Sequence, residues 1–465
     1  MQAETFWKSF LDHRVEKITG EVLEFFQTPL SEEDLQAYEW AEVITEYVSA
    51  QKRAKKFDEI AQLSEILQAN NPQVYQESHV YLNGALTTYY CYKRDVAGLS
   101  KIVEQWTSQP LEFDMLALSF KKITYYGYSE LADKIIERWF PAVKQSPDLL
   151  SGAEVDLSVP KLHIELEKFY HSLDHPPHTI DWQSFKATMA AYDFEFKEDY
   201  LPTLARAIQA DAPKALAQEI SEEFGAEKRH PLNTLGMLFG IQMLNKQMGF
   251  PTSGIIWYHL KDYWGETEGK TSSWSDYFRI KEESFPAYIR KQRGFFMDYR
   301  FLQAVILWGS SYVMDFLHEL DLLRTDRYRE SIQVIDEQKT IFKKVNRNVL
   351  WEYDPVHAWL PPASVTPEEW AAEQAHFQNS FDQDIEPLPL KEQARLEDRP
   401  YVDPASLLRK SKPRSEPRPK SGFQPPKKIG RNDKVSVRYQ DGTVQTDVKY
   451  KKVLPDLEAG KCELI

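Results

Sequence analysis

Cysteine is nearly absent: the 465-residue chain has two, Cys91 and Cys462. Two thiols in segments that read as different domains build neither a disulfide framework nor a thiolate zinc site. That usage fits a reducing compartment, so a cytoplasmic location is expected. Long apolar runs are missing too. The longest, FLQAVILWGSSYVMDFL at 301–317, contains Asp315 and falls short of the ~20 residues of a membrane-spanning helix. It predicts a buried core helix. The opening MQAETFWKSFLDHRVEK has no basic-then-apolar leader pattern; Phe6, Phe10 and Leu11 are expected on one helix stripe. No G-x-x-x-x-G-K-[ST], G-x-G-x-x-G, G-x-S-x-G or H-E-x-x-H occurs. No cofactor, catalytic residue or small-molecule substrate is therefore singled out, and the reading leans away from an enzyme. Alternating strand patterns are absent until the last forty residues.

Hydrophobic residues make up 42% and aromatics 13%, so the chain can form a large core. Its length suits about two to four domains. The net charge of −14 is unevenly spread. Between Arg399 and Lys452 stand 15 Lys/Arg against 5 Asp/Glu, a balance of +10 that leaves −24 elsewhere. An acidic body with a basic arm is the result.

Helical periodicity dominates residues 1–360. Ser31 with Asp34 forms an N-cap signal before LQAYEWAEVITEYV, where Trp40, Val43, Ile44 and Val48 share a face. FDEIAQLSEIL comes after it, and Asn70-Asn71-Pro72 breaks the chain. Two more helix pairs come next: VYLNGALTTYYCYKR with GLSKIVEQW, and MLALSFKKITYYG with YSELADKIIERWF. Their spacing of roughly 35–40 residues is that of helical-hairpin repeats. In the third pair, Tyr125, Tyr126, Gly127 and Ala132 stand at the turn; over about residues 36–146 the chain resembles a degenerate tetratricopeptide-type repeat. A plain bundle with short loops is the competing architecture.

Breakers at Pro147, Ser151-Gly152, Pro160 and Pro176-Pro177 mark a soft boundary. The expected organisation is mainly α. A helical-hairpin region spans 1–150 and a second helical region 151–360. A flexible acidic-then-basic linker with one short, isolated helix spans 361–428. A small β-rich module closes the chain at 429–465. The linker helix starts at Thr366-Pro367-Glu368-Glu369, a capping sequence. The stretch 409–428 has eight basic residues, five prolines and one glycine, which predicts an extended tether. In KVSVRYQDGTVQTDVKYKKV, Val435, Val437 and Tyr439 alternate with polar residues, as do Val444, Thr446, Val448 and Tyr450. Asp441-Gly442 between them predicts a hairpin. Residues 455–460 suit one helical turn and 462–465 a closing strand.

The runs KKIGRNDKVSV and VKYKKV resemble the SEC-C motif, the small zinc-binding tail of the SecA protein-translocation motor and of many other bacterial proteins. That motif reads K-x-G-R-N-D, then C-x-C-G-S-G, then K-K-Y-K-K-C. Lys428, Gly430, Arg431, Asn432 and Asp433 match its first part, and Lys449, Tyr450, Lys451 and Lys452 its last. Val435, Val437 and Val453 stand where cysteines are expected. Without thiolates there is no tetrahedral zinc site, and an apolar hairpin core is expected in place of the metal. The resemblance implies a docking element for chaperones or ribosomes. The expected partner-binding residues are Lys428, Arg431, Asn432, Asp433, Arg438, Lys449, Tyr450, Lys451 and Lys452.

Three further features carry chemistry. His163, His171, His175 and His178, with Glu165, Glu167 and Asp174, offer the imidazole and carboxylate mixture of a Zn or Ni site. This is the basis of an alternative reading as an all-α metal-dependent enzyme. In AYIRKQRGFFMDYR at 287–300, Arg290, Lys291, Arg293 and Arg300 interleave with Tyr288, Phe295, Phe296 and Tyr299, a pattern that suits nucleic acid. The basic arm, 399–452, suits nucleic acid or a ribosome in a salt-dependent way. The leading expectation is an interaction or adaptor protein: a helical body with a tethered basic docking module and a protein partner.

Overall fold

The computed structural model describes residues 2–12, 19–108, 113–145, 153–174, 177, 179–223, 229–266, 273–292, 300–398, 434–440, 442–458 and 460–464. It contains two compact units, residues 1–397 and 398–465. The first is helical among its described residues. The second holds a three-stranded sheet and a helix.

The N-terminal helices are α1 (Ala3–Asp12), α2 (Thr19–Phe26) and α3 (Glu32–Ala37). Both Phe6 and Phe10 are buried, Phe6 against Phe25, Phe26 and Trp40 and Phe10 against Trp7. Leu11 is not on their stripe: it is 65% exposed, because the residue next to Phe10 lies 100° round the helix. Ser31 caps a helix as expected, its hydroxyl accepting from the Asp34 amide at 3.1 Å. That helix is the short α3, since Tyr38 is extended and separates it from the helix that begins at Trp40.

Three hairpins come next: α4 (Trp40–Arg53) with α5 (Phe57–Asn70), α6 (Pro72–Lys93) with α7 (Val96–Ser108), and α8 (Phe113–Tyr125) with α9 (Ser129–Gln145). Trp40, Val43, Ile44 and Val48 are all buried. Helix α6 packs on α4, α5, α7 and α8, so each hairpin leans on the next. At the α5–α6 break, Asn71 is buried. Its carboxamide accepts from the Leu30 amide at 2.8 Å and donates to the Phe26 carbonyl at 2.9 Å. The break is thereby tied to the α2–α3 loop. Gly127 has φ +88° and closes α8, with the Tyr128 amide reaching the Ile123 carbonyl at 3.1 Å. A left-handed turn of this kind favours glycine.

The soft boundary near 150 does not separate compact units. Helix α10 (Ala153–His171) carries Pro160 inside it and packs on α8 and α9 on one side. On the other it meets α11 (Gln183–Ala190) and α15 (Phe250–Glu266). The intervening helices are α12 (Tyr200–Ile208), α13 (Pro213–Glu222) and α14 (Arg229–Leu244). Beyond α15 come α16 (Trp274–Tyr277), α17 (Phe285–Lys291), α18 (Arg300–Glu319) and α19 (Thr325–Val345). From Gln303 to Leu317 every residue of α18 is buried. Among the described residues no helix is long and apolar enough to cross a membrane.

The expected linker from 361 is corrected as far as Glu397. Helix α20 (Pro367–Asp382) has its capping box, with Thr366 and Glu369 exchanging hydrogen bonds. It is not isolated: Trp370 and Phe377 enter the main core at 6% and 0% exposure. Glu373 accepts from the Trp308 indole at 2.9 Å and from Lys343 at 2.6 Å. Helix α21 (Leu390–Leu396) packs on α19, burying Leu388 and Ala394. Tryptophan and phenylalanine seven apart supplied the anchors, although the intervening surface is polar. Residues 399–433 lie outside the described ones.

Candidate functional site

The C-terminal unit builds from its hairpin outward. Strands β1 (Lys434–Tyr439) and β2 (Val444–Lys449) pair antiparallel around Gly442, at φ +85°. Their register shifts between Val435 and Val437, and a bulge of this kind increases local twist. Strand β3 (Cys462–Leu464) pairs with the other edge of β1, giving the order β2-β1-β3. Helix α22 (Tyr450–Glu458) covers one face. Tyr450, Val453 and Leu457 recur at helical spacing, so the alternation expected through Tyr450 stops at Lys449, where pairing with Lys434 ends. The core is Val437, Tyr450, Val453, Leu457 and Cys462. The Tyr439 hydroxyl donates to Asp456 at 3.0 Å, and the Gln440 side chain to the Gly460 carbonyl at 2.7 Å.

Val437 and Val453 are 0% and 2% exposed, and Val435 packs on the same core. The three positions where the resembling motif has cysteines thus supply apolar contacts. These side chains do not fit zinc. Among the described residues no three His, Cys, Asp or Glu are grouped to hold a metal.

The expected partner-binding residues fall into four groups. Lys428, Arg431, Asn432 and Asp433 lie outside the described residues. Lys449 and Lys451 sit at the β2–α22 junction. Arg438 is half-exposed and pairs with Glu463 at 3.5 Å, and Lys452 is exposed. Tyr450 is corrected: at 5% exposure it belongs to the core, and its ring holds the module together. Its hydroxyl has no hydrogen-bond partner among the described residues.

The histidine set is not gathered. His163 and His171 are eight residues apart on α10, about 12 Å along the axis, and His175 and His178 lie outside the described residues. Two of the acidic members, Glu165 and Glu167, are engaged elsewhere. Glu165 joins Lys161, Lys168 and Asp133, with Lys161 at 2.5 Å from Asp133 and 3.0 Å from Glu165. Glu167 accepts from the Phe250 amide at 2.6 Å and so caps α15.

His163 instead lines a cavity of about 540 Å³ between α8, α10, α12, α14, α15 and α18, with walls that include Tyr125, Tyr200, Phe250 and Trp257. Gly254 makes room for its ring: a Cβ there would lie 2.6 Å from the imidazole. Burial lowers the His163 pKa to about 4. His259 lines the same cavity. Burial and then Lys121 lower its pKa to about 4. Its Nδ1 lies 3.2 Å from the Tyr288 hydroxyl, which donates to the His259 carbonyl at 2.7 Å. Both rings are neutral at pH 7. Lys121 and Asp156, also in the wall, pair at 3.3 Å. Gly236 and Gly240 in α14 and Gly254 in α15 line the cavity, but as isolated local cues they do not locate it in the sequence. Glycine in a helix interior disfavours the helix unless close packing needs it.

The basic–aromatic stretch is not a stacking platform in its described part. Tyr288 is buried and also bonds Asp262 at 3.1 Å. Lys291 pairs with Glu266 at 2.8 Å, and Arg300 donates to Asn346 at 2.6 Å. Residues 293–299 lie outside the described ones.

No family model matches the chain, and no solved structure matches it. A 53-residue stretch is 49% identical to the protein translocase subunit SecA of Cytophaga hutchinsonii. That stretch is 11% of this chain and 4% of the relative.

Proposed function

We propose that this is a cytoplasmic interaction protein whose basic C-terminal module docks on a protein partner. The helical hairpins, read as tetratricopeptide-like, form the body that the module serves. The observation that carries the proposal is the module's construction: a separate unit with its own core of Val437, Tyr450, Val453, Leu457 and Cys462. Before it in the chain lies a stretch with eight basic residues in twenty. Tethering raises the local concentration of such a unit without needing new contacts. Similarity to a protein translocase subunit supports docking by this segment; at 4% of that protein, it lends nothing of the whole molecule's work.

The test is affinity capture from bacterial lysate by the full chain and by a chain ending at Glu397, the last residue of the helical unit. An earlier cut would remove α20 from the core. Partners lost with the tail, and lost again in an Arg438→Glu/Lys452→Glu double variant, support the proposal. Unchanged partners place the function in the body. Capture that disappears with nuclease treatment, or falls steeply between 50 and 200 mM salt, points to nucleic acid or a ribosome. The charge of +10 over 399–452 favours that as the second reading.

A further inference from the structure

We propose that the cavity beside His163 is a binding site for a small, uncharged aromatic molecule carrying a hydrogen-bonding group. No part of this depends on the C-terminal module. The cavity volume of about 540 Å³ lies within the ~300–1,000 Å³ typical of small-ligand pockets. It is too small for a folded partner.

Three features set the ligand's chemistry. Tyr125, Phe250 and Trp257 give flat apolar walls, which favour aromatic rings. His163 lies deep in the body, yet its ring is part-exposed, to the cavity it lines. Among the described residues no hydrogen bond reaches either ring nitrogen. Both nitrogens are open to the cavity, and a neutral imidazole offers one donor and one acceptor. A ligand with an N–H or O–H can bond there. Thirdly, of the ionic groups in the wall, Lys121 and Asp156 are paired at 3.3 Å and Lys261 is itself engaged, so none stands free to meet a charged ligand. Val155 and Tyr258, 53% and 54% exposed, also line the cavity. They are apolar side chains held in solvent beside it, as expected at an entrance for apolar ligands.

The probe is N-phenyl-1-naphthylamine, an uncharged aromatic amine with one N–H, titrated into the full chain and read by its fluorescence. The comparison probe is 1-anilinonaphthalene-8-sulfonate, which has the same rings and a fixed negative charge. The expected result is saturable binding of the neutral probe at one site per chain, with the anionic probe at least about tenfold weaker. His163→Phe keeps the ring volume and removes both nitrogens; it should weaken the neutral probe about tenfold, one hydrogen bond's worth. Gly240→Leu is the second variant. A Cβ at Gly240 meets nothing closer than 3.5 Å, so the helix tolerates it, and the longer side chain occupies the cavity. It should abolish binding while circular dichroism stays unchanged. Absence of binding, several sites per chain, equal affinity for the two probes, or affinity unchanged in both variants would each overturn the proposal.

Discussion

At the residue scale, the two cavity histidines link the site to stability. His163 and His259 both have folded pKa values lowered from 6.5 to about 4. Well above pH 6.5 both are neutral, folded or unfolded, and contribute no pH dependence. As pH falls from 6.5 towards 4, the unfolded chain takes up protons that the folded chain refuses, so stability is lost. The loss levels off below about pH 4. A shift of this size corresponds to about 2–3 kcal/mol per histidine at pH 4.5. Urea unfolding at pH 7.5 and pH 4.5 checks it. The pH-dependent loss should shrink by that amount in His259→Gln and in His163→Gln, whatever the background from carboxylates. Equal losses in wild type and both variants would show that neither ring resists protonation. The two cysteines offer no such handle: burial pushes the Cys91 thiol up to about 12.

At the element scale, the sequence was most legible where apolar spacing and breakers agreed. The three hairpins, the α5–α6 break at Asn71-Pro72 and the turn at Gly127 all carried local signals. So did the capping box at Thr366 and the Asp441-Gly442 hairpin. Legibility failed where tertiary contacts overrode a local cue. Pro160 reads as a breaker but sits inside α10, held by packing on both sides. The acidic stretch after Asp382 reads as solvated, but α21 buries Leu388 and Ala394. Helix α20 reads as isolated because its core-facing residues, Trp370, Phe377, Ser380 and Phe381, are set among polar ones. The cavity was illegible because its residues come from six helices spread from α8 to α18. Helix α20 gives a direct test. Phe377 is fully buried, 5.2 Å from the Trp308 ring centre. Phe377→Ala should destabilise the helical unit by about 3–5 kcal/mol, read as a lower urea midpoint. A helix on a free linker would leave the midpoint unchanged.

At the scale of the whole molecule, two units of very different size share one chain. The helical unit has a continuous core from Ala3 to Phe377. Among its described residues the module has a core of five, and domains this small are marginal without a metal, disulfide or partner. Its valines at 437 and 453 contribute apolar contact but no cross-link. Module and body should therefore lose structure separately. Hydrogen exchange read by mass spectrometry should show amides of 434–464 exchanging orders of magnitude faster than those of α18, through local opening. Val453→Asp puts a carboxylate into the module core and should remove the remaining protection there, leaving α18 unchanged. A partner that binds only the folded module stabilises it by mass action, so addition of the captured partner should slow exchange in 434–464 for the wild type and not for Val453→Asp. Slow exchange in the free module, equal to that of α18, would mean that the five-residue core suffices alone. Stability would then no longer couple the module to its partner, and docking would have to rest on exposed side chains such as Arg438 and Lys452 alone.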